Sequence, residues 1–295
     1  TSLDLVEQFA KNKIQKKSNS SLENIIVSKQ HNQNKTISLL LNKLDKTANY
    51  EILEGIDNIY IPLKFFTLKK YESIISNISH KFKTYIYLPT IIKANYRNII
   101  ITNIENTITK HNVKGFVLSN ISNFKFLQDF NCDNFEFIAN YTFNIFNKYT
   151  IQELQKLGIN KLTISPELDK QTITEFAEIS NQELICYGRI PLMNMNYCPL
   201  GKSNHCYPEC SMNCATENRY YLKDRMNLKF PLILDNTQTV STLYNSKITS
   251  IAPSEFPNAS IRLDILEETI PEIQEIIKVF KSGKKLNGNI YTNTN

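Results

Sequence analysis

Residues 58–89 read NIYIPLKFFTLKKYESIISNISHKFKTYIYLP. Two short runs rich in β-branched and aromatic residues, NIYIP (58–62) and TYIYLP (84–89), flank the amphipathic stretch LKKYESIISNISHKF, the pattern of a strand, a helix and a second, parallel strand. The same alternation starts at Ser38 and runs to the end of the chain. It predicts further strands at SLLL (38–41), GFVLS (115–119), FEFIAN (135–140), KLTIS (161–165), ELICYG (183–188) and IRLDIL (261–266), eight in all. Helical candidates lie between most of them, among them NIIITNIENTITKHN, TIQELQKLG and DKQTITEFAEIS, and PEIQEIIKVFKSG follows the last. Gly158 and Gly283 stand where helix C-caps are expected. Eight such units predict an α/β fold, a (βα)8 TIM-like barrel, with active groups at the C-terminal ends of the strands. One connection is far too long for a βα loop: residues 190–258, between strands seven and eight, form a cysteine-rich insertion on that face, with YYLKD and KFPLILD set to pair as a hairpin around DRMN.

Outward from the barrel, the domain reading is simple. Residues 1–37 hold an amphipathic helix over 2–14 and a polar connector, residues 38–282 are the barrel with its insertion, and residues 283–295 are a tail. Hydrophobic residues make up 41% of the chain, yet no apolar run reaches the roughly 18 residues a membrane span needs, so no membrane partner is expected. TSLDLVEQFA has no features of a secretory leader, which makes the cytoplasm the expected compartment. A formal charge of +6 is compatible with RNA as a partner and equally with a Lys-rich surface.

YCPLGKSNHCYPECSMNC (197–214) holds four of the six cysteines. Cys198 is followed by Cys206, Cys210 and Cys214, the last three recurring every four residues. Four convergent thiolates suit tetrahedral zinc or an iron–sulfur cluster, and disulfides fit a reducing compartment poorly. The spacing does not separate the two metals. It does differ from that of radical-generating clusters, which sit after strand one with tighter spacing. His205 and Glu209 flank Cys206 and read as loop residues, and Cys186, inside a strand, reads as a packed core thiol.

ELICYGRIPLMNMNYCPLG (183–201), YYLKDR (220–225), FP (230–231) and LYNS (243–246) together resemble the C-terminal barrel repeat of peptidase family U-32, the collagenase-like peptidases, as do NYTFNIFN (140–147) and TISPEL (163–168). The resemblance implies a barrel-like domain whose four cysteines hold a four-iron four-sulfur cluster. It also implies one of two activities: collagenase-like proteolysis, or support of hydroxylation of a base in ribosomal or transfer RNA, or of a quinone ring, with prephenate as oxygen source. The chain departs from the pattern twice. DNTQTVST (235–242) lacks the cysteine usual before the YNS block, which makes Cys210 the substitute ligand, and Asn289 stands where a histidine is expected.

On this reading Cys198, Cys206, Cys210 and Cys214 are the metal ligands, with zinc as the alternative to the cluster. Asn140, Asn144, Tyr187 and Arg189 are the substrate-binding candidates at the strand ends. Arg189 can clamp a carboxylate bidentately, as prephenate would require. Glu167 is either a general acid or base or the ion-pair partner of Arg189. Asn147 belongs to the same Asn-rich block, and Asp224 and Arg225 read as a hairpin-turn pair. The leading function is the RNA-hydroxylation type. A peptidase is the alternative, although no HExxH pair and no G-x-S-x-G elbow occurs. A third reading takes the chain, which starts at Thr1, as the C-terminal repeat of a larger protein, holding a cluster or binding RNA beside a second barrel or partner subunit.

Overall fold

A computed structural model describes residues 35–127, 134–159, 161–179, 181–201, 219–235 and 237–286. The predicted helix over 2–14, Cys132, the tail from residue 287 on with Asn289, and His205, Cys206, Glu209, Cys210 and Cys214 lie outside the described residues. Eight parallel strands close into a barrel: β1 (Ile37–Leu41), β2 (Asn58–Pro62), β3 (Lys83–Tyr87), β4 (Val113–Leu118), β5 (Glu136–Ala139), β6 (Lys161–Thr163), β7 (Gln182–Gly188) and the last strand, Ser260–Ile265. Neighbours pair in chain order, β7 pairs with β6, and the last strand sits between β7 and β1, so the ring has no open edge. All eight coincide with the runs expected from sequence, within one or two residues at most ends.

Helices cover the outside of most connections. In chain order they are α1 (Leu63–Phe66), α2 (Glu72–Lys81), α3 (Arg97–Lys110), α4 (Ile121–Leu127), α5 (Lys148–Lys156), α6 (Lys170–Ala177) and α7 (Ile270–Lys281). The first connection carries only a 3-10 turn, Tyr50–Ile52, and α4 had no periodic signal strong enough to predict it. Each amphipathic helix buries one stripe: Ile75 and Ile78 in α2, Ile100 and Ile104 in α3, Ile273, Ile276, Ile277 and Phe280 in α7. Side-chain oxygens of Asn147 and Asp169 cap the N-termini of α5 and α6, and a Thr269–Glu272 capping box starts α7. At the other ends Gly158 and Gly283 take φ of +83° and +80°. Ile159 N donates to Leu154 O and Gly158 N to Gln155 O, with the same pair of bonds repeated after α7, so both glycines cap as expected.

Two cores result. The larger lies between strands and helices, while Leu40, Tyr60, Tyr85, Val117 and Ile138 fill the barrel's centre, with Tyr87 packed on them. Below that plug, at the N-terminal end, Glu183 is fully buried. It accepts from the Tyr60 hydroxyl at 2.8 Å and from Thr163 at 3.1 Å, and pairs with Lys161 Nζ at 3.0 Å. Burial alone would push this carboxyl up, but Lys161, Arg262 and the hydroxyls outweigh it, so its pKa lies below the ordinary value.

The insertion is a structured layer in its own right. β8 (Pro191–Met195), β9 (Tyr220–Lys223), β10 (Lys229–Asp235) and β11 (Val240–Tyr244) form an antiparallel sheet in the order β8-β11-β10-β9. β9 and β10 are the predicted hairpin, and Asp224 Oδ1 accepts from the amides of Met226 and Leu228 to shape its turn. A two-residue strand, β12 (Thr249–Ser250), then pairs antiparallel with the end of β7 before the chain enters the last barrel strand, β13 (Ser260–Ile265).

Candidate functional site at the barrel mouth

The four-stranded sheet lies over the C-terminal mouth and is pinned there by polar contacts, among them those of Lys64, Gln238 and Tyr244. Lys64 Nζ donates to Leu234 O at 2.7 Å. Gln238, fully buried, donates to Ile91 O at 2.9 Å and accepts from Lys93 N at 3.0 Å. The Tyr244 hydroxyl donates to Asn42 Oδ1 at 3.2 Å. Between sheet and barrel remains a cavity of about 110 Å³, lined from below by Asn42, Lys64, Tyr87 and Tyr141 and from above by Asn194 and Asp235. Pro62, Leu63, Ile91, Ile233 and Val240 give it apolar walls.

One of its lining residues, Tyr87, is held by a tight polar cluster. Arg262, fully buried on β13, grips Asp264 through Nε to Oδ1 at 2.6 Å and Nη2 to Oδ2 at 3.1 Å. Its Nη1 donates to Asn140 Oδ1 at 2.8 Å, and Asn140 Nδ2 in turn donates to the Tyr87 hydroxyl at 2.8 Å. The guanidinium carbon also lies 5.7 Å from the ring centres of both Tyr60 and Tyr87. Burial pushes the Asp264 carboxyl up, and Arg262 opposes that; the same neighbouring acid holds the guanidinium charged. This chain fixes the orientation of Tyr87 at the cavity's edge.

Among the described residues Lys64 is the one cation on the cavity wall. It is 7% exposed, immediately after β2, and burial lowers its pKa to about 8, with Asp235 pulling the other way. Among the described residues its ammonium has one hydrogen-bond acceptor, Leu234 O, and no carboxylate within ion-pair distance. The Tyr141 hydroxyl has no partner among the described residues, and burial raises its pKa.

Of the residues expected at the mouth from sequence, the structure brings Asn140 there and sends others elsewhere. Tyr187 is corrected: a bulge at Cys186 turns its ring outward onto Phe280, 5.8 Å between centroids, with its hydroxyl on Glu268 at 2.8 Å. Arg189 Nη1 donates to the carbonyls of Asn245, at 3.1 Å, and Ser246, and so ties the LYNS segment to the end of β7. Asn144 is exposed in a left-handed turn at φ +52°, and Asn147 is a helix cap, so neither faces the cavity. Glu167 is exposed on the loop after β6, makes no ion pair with Arg189, and contributes to the negative field at Tyr141. Lys64, Tyr141, Arg262 and Asp264 were not singled out by sequence reading. A lysine directly after a strand is the one signal that was available.

Of the four thiols, Cys198 alone is described. It sits half-buried just past β8, in a turn closed by Gly201 N on Cys198 O at 3.1 Å, and Ser241 Oγ on Tyr197 O at 2.9 Å fastens that turn to β11. A thiolate there, at the start of the loop carrying the other three, fits the donor chemistry of a cluster or a zinc ion. Among the described residues no three His, Cys, Asp or Glu side chains converge on a metal position. Cys186 is buried, and burial pushes its thiol up to about 12.

Fold and site define a closed (βα)8 barrel whose mouth is roofed by an inserted antiparallel sheet. No family model matches the chain, and no curated protein matches it. Among solved structures it is similar to the YdjI aldolase from Escherichia coli K12, with a TM-score of 0.32 and 13% identity over 51% of this chain. That match spans 65% of the aldolase chain. Among the described residues no helix is long and apolar enough to cross a membrane.

Proposed function

We propose that this chain is an iron–sulfur barrel protein of the U-32 peptidase-like type that supports hydroxylation of a base in ribosomal or transfer RNA, taking a small carboxylate such as prephenate at the barrel mouth. One observation carries the reading: PLM, YYLKDR, FP and LYNS, four of the segments on which the resemblance rests, come together in or at the ends of one sheet that lies over a cavity at the strand ends, with Cys198 at its margin. Motifs 50 residues apart thus serve one place.

Cys198, Cys206, Cys210 and Cys214 would hold the cluster, which supplies one-electron chemistry when bound. The chain's own residues prepare the pocket. Arg262 with Asn140 presets Tyr87 before a ligand arrives. The formal charge of +6 favours encounter with RNA.

The test is the iron, sulfide and zinc content of protein purified without oxygen, alongside Cys198→Ala and Cys210→Ala variants. About four irons and four sulfides per chain, lost in both variants, are expected. One zinc without sulfide would overturn the cluster. Unchanged RNA base modification in cells carrying only the Cys198→Ala form would overturn the hydroxylation role.

A further inference from the structure

We propose that the cavity beneath the inserted sheet is a carboxylate site whose anchors are Lys64 Nζ and the Tyr141 hydroxyl, and that its ligand is a small organic acid with an apolar body. It rests on the mouth reading above for its place in the molecule, and on neither the cluster nor RNA.

The argument begins with an imbalance. An ammonium has three donors, and a buried one needs a compensating charge or nearly full hydrogen bonding. Lys64 has one hydrogen-bond acceptor among the described residues, the neutral Leu234 O, and otherwise only the face of the Phe65 ring, 5.1 Å from its ammonium to the ring centre, with no carboxylate at ion-pair distance. Asp235 is near enough to raise its pKa but is not within ion-pair distance, and its Oδ1 already accepts from Thr237 N at 2.8 Å. On the same cavity wall the Tyr141 hydroxyl is a second donor without a partner. An ammonium with spare donor capacity and a free hydroxyl, on two residues lining one small cavity, match the two oxygens of a carboxylate.

The surroundings narrow the ligand. Asp235 on the roof opposes a second negative charge beside the first, which disfavours a phosphate dianion. Pro62, Leu63, Ile91 and Val240 offer the rest of the ligand apolar contact. A structural alternative exists, because the Lys64–Leu234 bond also ties the roof to the barrel. The two roles differ in what removal does. A latch that is lost lowers stability, whereas a buried cation kept for a ligand is costly to the empty protein, so its loss does not.

The experiment is calorimetric titration of pyruvate, phenylpyruvate and the methyl ester of phenylpyruvate into wild type, Lys64→Met and Tyr141→Phe, with thermal midpoints measured alongside. Wild type is expected to bind an acid and not the ester. Lys64→Met should bind at least tenfold more weakly without a lower midpoint, and Tyr141→Phe several-fold more weakly. Equal affinity in Lys64→Met, equal binding of the ester, or no binding of either acid by wild type would overturn the site. Should Lys64→Met fail to fold, Tyr141→Phe with unchanged affinity would do the same. A protein that binds acid yet holds zinc overturns the cluster alone, and a cluster-loaded protein that binds no acid overturns this site alone.

Discussion

Replacing Lys64 by Met should make the unliganded protein more stable at neutral pH, and the gain should fade as the solution becomes alkaline. The lysine pKa falls from the ordinary 10.5 to about 8 on folding, chiefly through burial. At about 1.4 kcal/mol per unit, holding the charged form inside costs the native state about 3 kcal/mol below pH 8. Met fills a similar volume without that cost, but it leaves Leu234 O without its donor, a loss of about 1 kcal/mol. The net gain is about 2 kcal/mol at pH 7, or roughly 3 °C in thermal midpoint for a chain of this size. The sign follows from proton counting. Between pH 8 and 10.5 the unfolded lysine keeps a proton that the folded one has released, so wild-type stability rises with pH across that window. It is lost again as pH falls through about 8. Denaturation midpoints of both proteins at intervals from pH 7 to 10.5, under reducing conditions, should therefore converge and then cross near the top of that range, where the lost hydrogen bond to Leu234 O still separates them. A Met variant less stable than wild type at pH 7, or a difference that does not change with pH, would refute the reasoning.

Three further outcomes follow from the same structure. Gly188→Ala should cost more than about 2 kcal/mol in urea unfolding, because φ is +138° and a Cβ there would lie 2.6 Å from Asp264 O; a wild-type midpoint would mean that β7 and β13 are not so close. Glu183→Gln leaves Lys161 facing a neutral amide in the barrel floor and should cost about 2–3 kcal/mol, with Lys161→Met added to it restoring part of the loss; strictly additive losses would count against the pair. Cys186 should resist iodoacetamide in the native protein at pH 8 and react after denaturation, since its thiol is buried and its pKa is pushed up to about 12; peptide mass mapping reads this directly.

The strands were legible because a parallel sheet covered on both faces leaves short continuous runs of apolar and β-branched residues that only burial explains. NIYIP and TYIYLP carry that signal, and the helices between them carry the 3.6-residue stripe. Even the caps at Gly158 and Gly283 and the turn at Asp224 were readable, since each depends on neighbours within a few residues. The candidate site was much less so. Tyr187 follows the alternation of β7 until the bulge at Cys186 reverses its side, and a bulge depends on the partner strand. Arg189 looked like a ligand clamp by residue type, yet its partners are backbone carbonyls 56 and 57 residues away. Lys64 is an ordinary lysine in a Lys-rich chain until β10, 170 residues on, is laid over it. By itself the sequence determined the eight-strand barrel and the place of its insertion, because local periodicity and turn chemistry act over a few residues. Which polar groups meet in the mouth, and which of them are left without partners, was decided only by the tertiary structure, because burial and pairing there belong to strands brought together by closure of the ring.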